Sequence, residues 1–212
     1  MTLICAHERL RDVLHPVHPL DDEAVERLHA YTRVLDRWAA RQRLVGWRRA
    51  EALLADGLRD AWSAVPLLKS VDAPILDVGS GAGLPALVFA AGLPERAMHL
   101  VESRRKRASF LREAVRVMGI SRVEVHHGRV EELVDERRID PTDALVTSRA
   151  FASPTDVLKL AGAWGASSCL ATSSSAKIPV DAPAGWREIA RTESRPHADS
   201  LHVVYRTAVR RS

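Results

Sequence analysis

The chain has 212 residues, of which 46% are hydrophobic and 27% charged, with a formal net charge of +4 and a pI near 9.5. That length and composition describe one globular domain with a full core and a modest extension, and exclude a disordered chain. No apolar run approaches a membrane span and no signal-peptide pattern opens the chain, so we expect no membrane partner. Cys5 and Cys169 are far apart and in no ligand spacing, so free thiols in a reducing cytoplasm and no metal are expected.

Residues 1–20 carry Pro16, Pro19 and scattered His, and read as a loosely ordered arm or a short helix. Asp21, Asp22 and Glu23 place negative charge where a helix begins. Ala24, Leu28, Tyr31, Leu35 and Trp38 then recur at three- and four-residue steps, one apolar helix face. A second helical stretch covers about 48–69. Trp38, Trp47 and Trp62 read as packing anchors rather than base-stacking platforms. From Pro74 onward strands alternate with helices. Strands are predicted at 75–79, 97–102, 122–128, 143–148 and 167–172, and helices at 84–92, 104–118 and 154–164. That alternation predicts an α/β fold, a parallel sheet wrapped by helices. Residues 186–194 and 201–208 break it and predict a terminal antiparallel hairpin. Ser173, Ser174 and Ser175 are expected in a mobile loop before it. The expected division is a helical N-terminal cap, 1–70, on a core, 71–212.

The most informative segment is Ile75-Leu76-Asp77-Val78-Gly79-Ser80-Gly81-Ala82-Gly83-Leu84-Pro85. It reads as a buried strand running into a Gly-rich loop with a helix behind it. A dinucleotide fingerprint needs a third glycine where Leu84 stands. The pattern here is Asp-x-Gly-x-Gly-x-Gly. An acid before the loop, Asp77, suits a ligand carrying an ammonium and a sulfonium and repels phosphates. Glu102 ends the next strand, 23 residues beyond Gly79. A carboxylate there can accept hydrogen bonds from both ribose hydroxyls of an adenosine. These features favour S-adenosylmethionine as cofactor. Sheets of this kind bind ligands beyond the carboxyl ends of their strands, where the Gly-rich loop, Glu102, Arg129–Glu131 and Thr147–Ala150 all fall.

Arginines gather in two places. Arg33, Arg37 and Arg41 recur every four residues, followed by Arg43, Arg48 and Arg49. Arg104, Arg105, Lys106 and Arg107 form the second cluster, with Arg112 and Arg116 further along. Either could be an ordinary solvated helix face. Two beside a nucleoside-cofactor site point to RNA phosphate contact.

The run from Leu76 to Pro85 resembles the bacterial 16S rRNA guanine-N7 methyltransferases (the RsmG or GidB family). So do Glu102-Ser103-Arg104-Arg105-Lys106-Arg107 with Phe110-Leu111, Gly128-Arg129-Val130-Glu131, Thr147-Ser148-Arg149-Ala150 and, upstream, Leu44-Val45-Gly46. The resemblance runs from about residue 25 to 206. It implies a class I methyltransferase: a Rossmann-like, mainly parallel seven-stranded sheet with a terminal antiparallel hairpin, under a helical cap. It implies S-adenosylmethionine as methyl donor and a guanine in the 530 loop of 16S rRNA, free or in the small subunit, as target. Gly79, Gly81, Gly83 and Leu84 would contact the cofactor, Glu102 its ribose, and Val130 and Glu131 the adenine side. Arg149 would contact the cofactor and sit at the mouth of the methyl-transfer site, as its catalytic residue. The chain departs from the family at three places. Arg43 stands for the usual Asn. Gly57-Leu58-Arg59-Asp60-Ala61 stands for His-x-x-Asp-Ser. Ala86-Leu87 replaces the usual Gly-Ile. The first two lie in the cap and bear on the target, so a methyltransferase of a small heteroaromatic molecule is the alternative.

The chain lacks an Asn/Asp-Pro-Pro-aromatic loop after the fourth strand, the device for exocyclic amines. Neither cysteine sits by a site loop, which argues against covalent attack on a pyrimidine carbon. Guanine N7 needs neither. Arg149 could position guanine through O6 or a neighbouring phosphate. Alternatively it braces its loop by an ion pair to Glu131 or Asp77. Of His126 and His127, neighbours on one strand, one should face the sheet packing and the other solvent, with no role assigned. We expect a cytoplasmic monomer.

Overall fold

The structure is a computed structural model, and it describes residues 2–42, 44–149, 153–173, 182–194 and 200–207. Arg43, Ala150, Ser174 and Ser175, singled out above, lie outside the described residues.

The N-terminal part is helical: α1 His7–Leu14, α2 Asp22–Ala39, the single turn α3 Ala50–Ala52, a π-helical segment Leu53–Leu58, and α4 Arg59–Leu68. The first twenty residues contain a real helix. Leu10 and Leu14, one turn apart, are both fully buried, and this pair fixes α1 against its neighbours. The acidic start of α2 falls as predicted. Asp21 is its N-cap, its carboxylate accepting the Ala24 N–H at 2.7 Å. The stretch predicted as one helix over 48–69 is instead interrupted by the π segment, which shifts the register between α3 and α4. Trp62 is buried, while Trp38 and Trp47 pack half-buried against the same core.

The sheet comprises β1 Ile75–Val78, β2 Met98–Glu102, β3 Val123–His127, β4 Leu145–Ser148, β5 Ser168–Ser173, β6 Trp186–Ser194 and β7 Ser200–Thr207. Its order is β3-β2-β1-β4-β5-β7-β6. The first five strands are parallel, and β7 runs antiparallel between β5 and β6. The intervening helices are α5 Ala86–Gly92, α6 Arg105–Met118, α7 Val130–Asp135 and α8 Pro154–Ala163. The short α7 was not predicted. The fourth strand starts at Leu145 rather than 143, because Asp143 adopts a positive φ of 66° in the preceding turn.

Successive strand residues point to opposite faces. Ile75, Met98 and Leu100 join Phe89, Phe110, Leu111 and the buried residues of α1, α2 and α4 in one continuous cluster. Leu76, Val78, Val101 and Val146 face the other way, against Val130, Leu133, Val157 and Leu158 of α7 and α8. The N-terminal helices therefore share the core of one sheet face. Among the described residues no helix is long and apolar enough to cross a membrane.

Candidate active site

The site is built at the carboxyl ends of β1, β2 and β4, where the strand order reverses. The β1 turn begins with Gly79 and Ser80, whose N–H groups both donate to the Val101 carbonyl of β2. Gly79, Gly81 and Gly83 all have positive φ, at 72°, 57° and 81°. At Gly83 space is also exhausted: a Cβ would lie 2.4 Å from Leu87 Cδ1 and 2.7 Å from its Cγ. Glycine there lets α5 start directly beneath the loop, as the Gly83 carbonyl accepts the Leu87 N–H at 2.7 Å. Tyr31 of α2, fully buried, donates its hydroxyl to the Ala82 carbonyl at 2.8 Å. The N-terminal helices thus hold the loop directly.

Glu102 is 4% exposed and meets this loop. One carboxylate oxygen accepts the Gly81 N–H at 2.9 Å and the other accepts the Arg104 N–H at 2.7 Å. Among the described residues it makes no ion pair with Arg105 or Lys106. A carboxylate offers about four lone-pair sites, so two remain for hydroxyl donors. Asp77 lies behind, 1% exposed, and neither of its carboxylate oxygens finds a hydrogen-bond partner among the described residues. The Ser80 hydroxyl spends its proton on the Asp77 main-chain carbonyl at 3.1 Å. Burial pushes the Asp77 carboxyl up to about 7; Ser80 opposes the rise and the nearby Glu102 charge adds to it. A buried carboxylate without hydrogen-bond partners among the described residues, beneath a glycine cradle, fits a cationic nucleoside ligand.

The predicted adenine-side residues divide. The Gly128 N–H donates to the Glu102 carbonyl at 3.2 Å, which ties the loop after β3 to the site. Val130 is buried in the α7–α8 cluster, while Glu131 is exposed. Leu84 is half-buried and packs on the core under the loop. His126 is buried and His127 exposed, the alternation expected of strand neighbours.

Arg149 has a partner that neither sequence alternative named. Its Nη2 lies 3.0 Å from Oδ2 of Asp60 and donates to the Asp56 carbonyl at 3.3 Å. The ion pair is thus to α4, not to Glu131 or Asp77. Asp60 is fully buried. Its other oxygen is 3.2 Å from Nε2 of buried His202 on β7, whose Nδ1 is 3.0 Å from the Thr172 hydroxyl on β5. Burial alone would raise the Asp60 carboxyl. The His202 hydrogen bond and charge, the Arg149 charge and a Ser200 hydrogen bond outweigh it, and Asp60 sits below the usual carboxylate range. Among the described residues, Nη1 of Arg149 is buried without a hydrogen-bond partner. Sequence reasoning missed Asp60 and His202 as site residues. The available signal was Asp60 itself, an acid on the buried helix face shared by Leu53 and Ala64, where an unpaired charge is not tolerated.

Three hollows among the described residues lie away from this site: one of about 590 Å³ lined by Asp143, Trp186 and Arg206, one of about 520 Å³ lined by Arg37, Trp38 and Glu113, and one of about 490 Å³ lined by Asp36, Arg41 and Trp47. Orphaned polar groups and backbone curvature, rather than open volume, mark the nucleoside site. The two arginine groups touch at one place: Arg33 and Arg37 of α2, the latter paired with Glu113, line a hollow with Asp36 and with Arg116 of α6. Arg107 reaches the Gly-rich loop, its Nη1 3.8 Å from where a Gly81 Cβ would stand.

The strand order, the Asp77–Gly81–Glu102 arrangement and the cradle of positive-φ glycines define a class I S-adenosylmethionine-dependent methyltransferase. Its fold is shared, at 13% identity and a TM-score of 0.52, with a mutant of MtNAS crystallised in complex with S-adenosylmethionine, over 95% of this chain and 84% of that one. The family model GidB, rRNA small subunit methyltransferase G, matches residues 24–165. The ribosomal RNA small subunit methyltransferase G of Rhodospirillum rubrum is 39% identical over 154 residues, 69% of this chain and 73% of that protein. That of Wolinella succinogenes is 35% identical over 143 residues, 68% and 70% of the two chains. The chain belongs to the rRNA small subunit methyltransferase G family.

Proposed function

We propose that this protein methylates N7 of a guanine in the 530 loop of 16S rRNA. The observation that carries the reading is the carboxylate of Glu102 locked onto the Gly81 amide, with the orphaned Asp77 carboxylate behind it. Asp77, Gly79, Gly81, Gly83 and Leu84 would hold the methionine end and Glu102 the ribose. Val130 and Glu131 would flank the adenine, Val130 through its backbone because its side chain is committed to the core. The family supports the rRNA target, and the joined arginine surface of α2 and α6 supports a polyanionic one.

Bound S-adenosylmethionine supplies an electrophilic methyl group. Guanine N7 carries an in-plane lone pair and no proton, so this chain needs no general base. It must hold the base in line and keep water out, which is worth on the order of 7–11 kcal/mol in favourable systems. Arg149, braced by Asp60 and with Nη1 unspent, would position guanine through O6 or an adjacent phosphate. Its positive charge does not favour the cationic methylated ring, so its role is placement. A flipped or single-stranded base would enter, since stacking hides the edge from the cofactor. The helices of residues 1–70 serve as the substrate-facing cap on the 71–212 core, and the enzyme works as a cytoplasmic monomer.

The test is transfer of labelled methyl from S-adenosylmethionine to purified small subunits, naked rRNA and a metabolite extract, with mass spectrometry of the labelled nucleoside. N7-methylguanosine from 16S rRNA is expected. Label in the metabolites and none in RNA would replace this reading with a small-molecule methyltransferase.

A further inference from the structure

His99 of β2 and His126 of β3 lie on the sheet face away from the N-terminal helices, and Glu124 stands directly across the ladder from His99. Nδ1 of His99 and Nε2 of His126 are 3.1 Å apart, and Oε2 of Glu124 is 3.8 Å from each. Among the described residues this is the group whose ligand atoms converge. We propose that His99, Glu124 and His126 form a binding site for one borderline divalent cation of the zinc, cobalt or nickel type.

The geometry has the right scale. The point equidistant from these three atoms in their own plane lies about 2.1 Å from each, within the range of zinc–nitrogen and zinc–oxygen bonds. Two imidazoles and one carboxylate leave room for water, the donor set of an open site rather than a closed structural one. His126 is held in place by burial, with 8% of its side chain exposed. Glu124, 69% exposed, is free to close the last few tenths of an ångström. A nitrogen ligates only when it carries no proton. Burial lowers His126, Glu124 opposes, and His99, Arg138 and Arg112 lower it further. Burial, more than those arginines, favours the neutral ring that can ligate. The ion would pin the edge strand β3 to β2. At the carboxyl ends of the same two strands stand Glu102 and Gly128, joined by the Gly128 N–H to Glu102 carbonyl bond. Bound metal would therefore stabilise the folded state by mass action without touching the reacting atoms.

The experiment titrates cobalt(II), then zinc, into the untagged full-length protein, following visible cobalt absorption and the thermal midpoint. One cobalt per chain is expected, displaced by zinc, with a midpoint that rises with metal. Glu124→Gln changes an exposed side chain and should weaken binding at least roughly tenfold. His99→Asn with His126→Asn should abolish it, while the metal-free midpoint and circular dichroism show the variant folded. Absence of binding overturns the proposal. So does unchanged binding in the folded double variant, which would place the ion elsewhere.

Discussion

Asp77→Asn isolates the energetic signature of the site. The wild-type carboxyl is pushed from an ordinary 3.8 to about 7, by burial first and by the Glu102 charge, against Ser80. A folded-state value above the unfolded one means that, between those limits, the folded protein keeps a proton the unfolded chain has lost. Stability from this group is therefore fully present below pH 3.8 and is lost as pH rises toward 7. Three units at about 1.4 kcal/mol each give a penalty of about 4 kcal/mol at pH 8.5, and of about 2 kcal/mol at pH 5. Asparagine has nearly the same shape and no charge to desolvate. Urea unfolding at the two pH values should show the variant more stable than wild type, with the gain about 2 kcal/mol larger at pH 8.5. These are upper values, since the amide brings its own unpaired donors. Calorimetry should show S-adenosylmethionine binding weakened, because the cationic ligand loses its buried counter-charge. A variant destabilised equally at both pH values would refute the electrostatic argument. Unchanged cofactor affinity would refute the role assigned to Asp77.

The Arg149 network gives a second test. Asp60→Ala leaves Arg149 and His202 facing a vacated buried position, and unfolding should show a loss of about 3–5 kcal/mol. Arg149→Ala and Arg149→Lys should both lower kcat on rRNA, because lysine cannot reproduce the planar fork. Near-normal turnover in both would reduce Arg149 to a brace. Gly83→Ala meets a φ of 81° and Leu87 at 2.4 Å, so a loss of about 3 kcal/mol in urea unfolding is expected, with weakened cofactor binding. Arg33→Ala combined with Arg116→Ala should weaken rRNA binding and lower the slope of log affinity against log salt by about 2, measured by filter binding. An unchanged slope would remove that surface from the RNA path.

How much of this was legible in the sequence depended on the range over which the signal acts. The β1–loop–α5 unit is local: apolar strand, punctuating glycines, apolar helix. The loop and the acid ending the next strand fell where the spacing placed them. The terminal hairpin was readable for the same reason, although the bulge between Glu188 and Ala190 was not. Short elements were harder. Helix α1 rests on one buried pair, Leu10 and Leu14, and α7 on Val130 and Leu133, too little periodicity to stand out from loop. The π segment was invisible because Leu53, Leu54, Gly57 and Leu58 fit an ordinary apolar helix face equally well.

Contacts closed only by the tertiary fold were beyond sequence reasoning. Asp60 and His202 are 142 positions apart. Each looks unremarkable in its own element, and only the placement of α4 against the β6–β7 hairpin brings them to one buried pair. That pair gives the departures of the N-terminal helices a physical meaning. The family's usual His is Gly57 here, yet its Asp is retained as Asp60, and the structure shows what the Asp does: it anchors Arg149 from the opposite side of the site. A Cβ at Gly57 would lie 3.2 Å from Trp47, so the glycine accommodates an indole where a histidine side chain would project. The part of the motif that places the transfer-site arginine is thus intact, and the change is confined to the π segment beside it. Any altered substrate preference should therefore appear as a change in KM for RNA, traceable to Gly57 and Trp47, with the chemistry at Arg149 preserved.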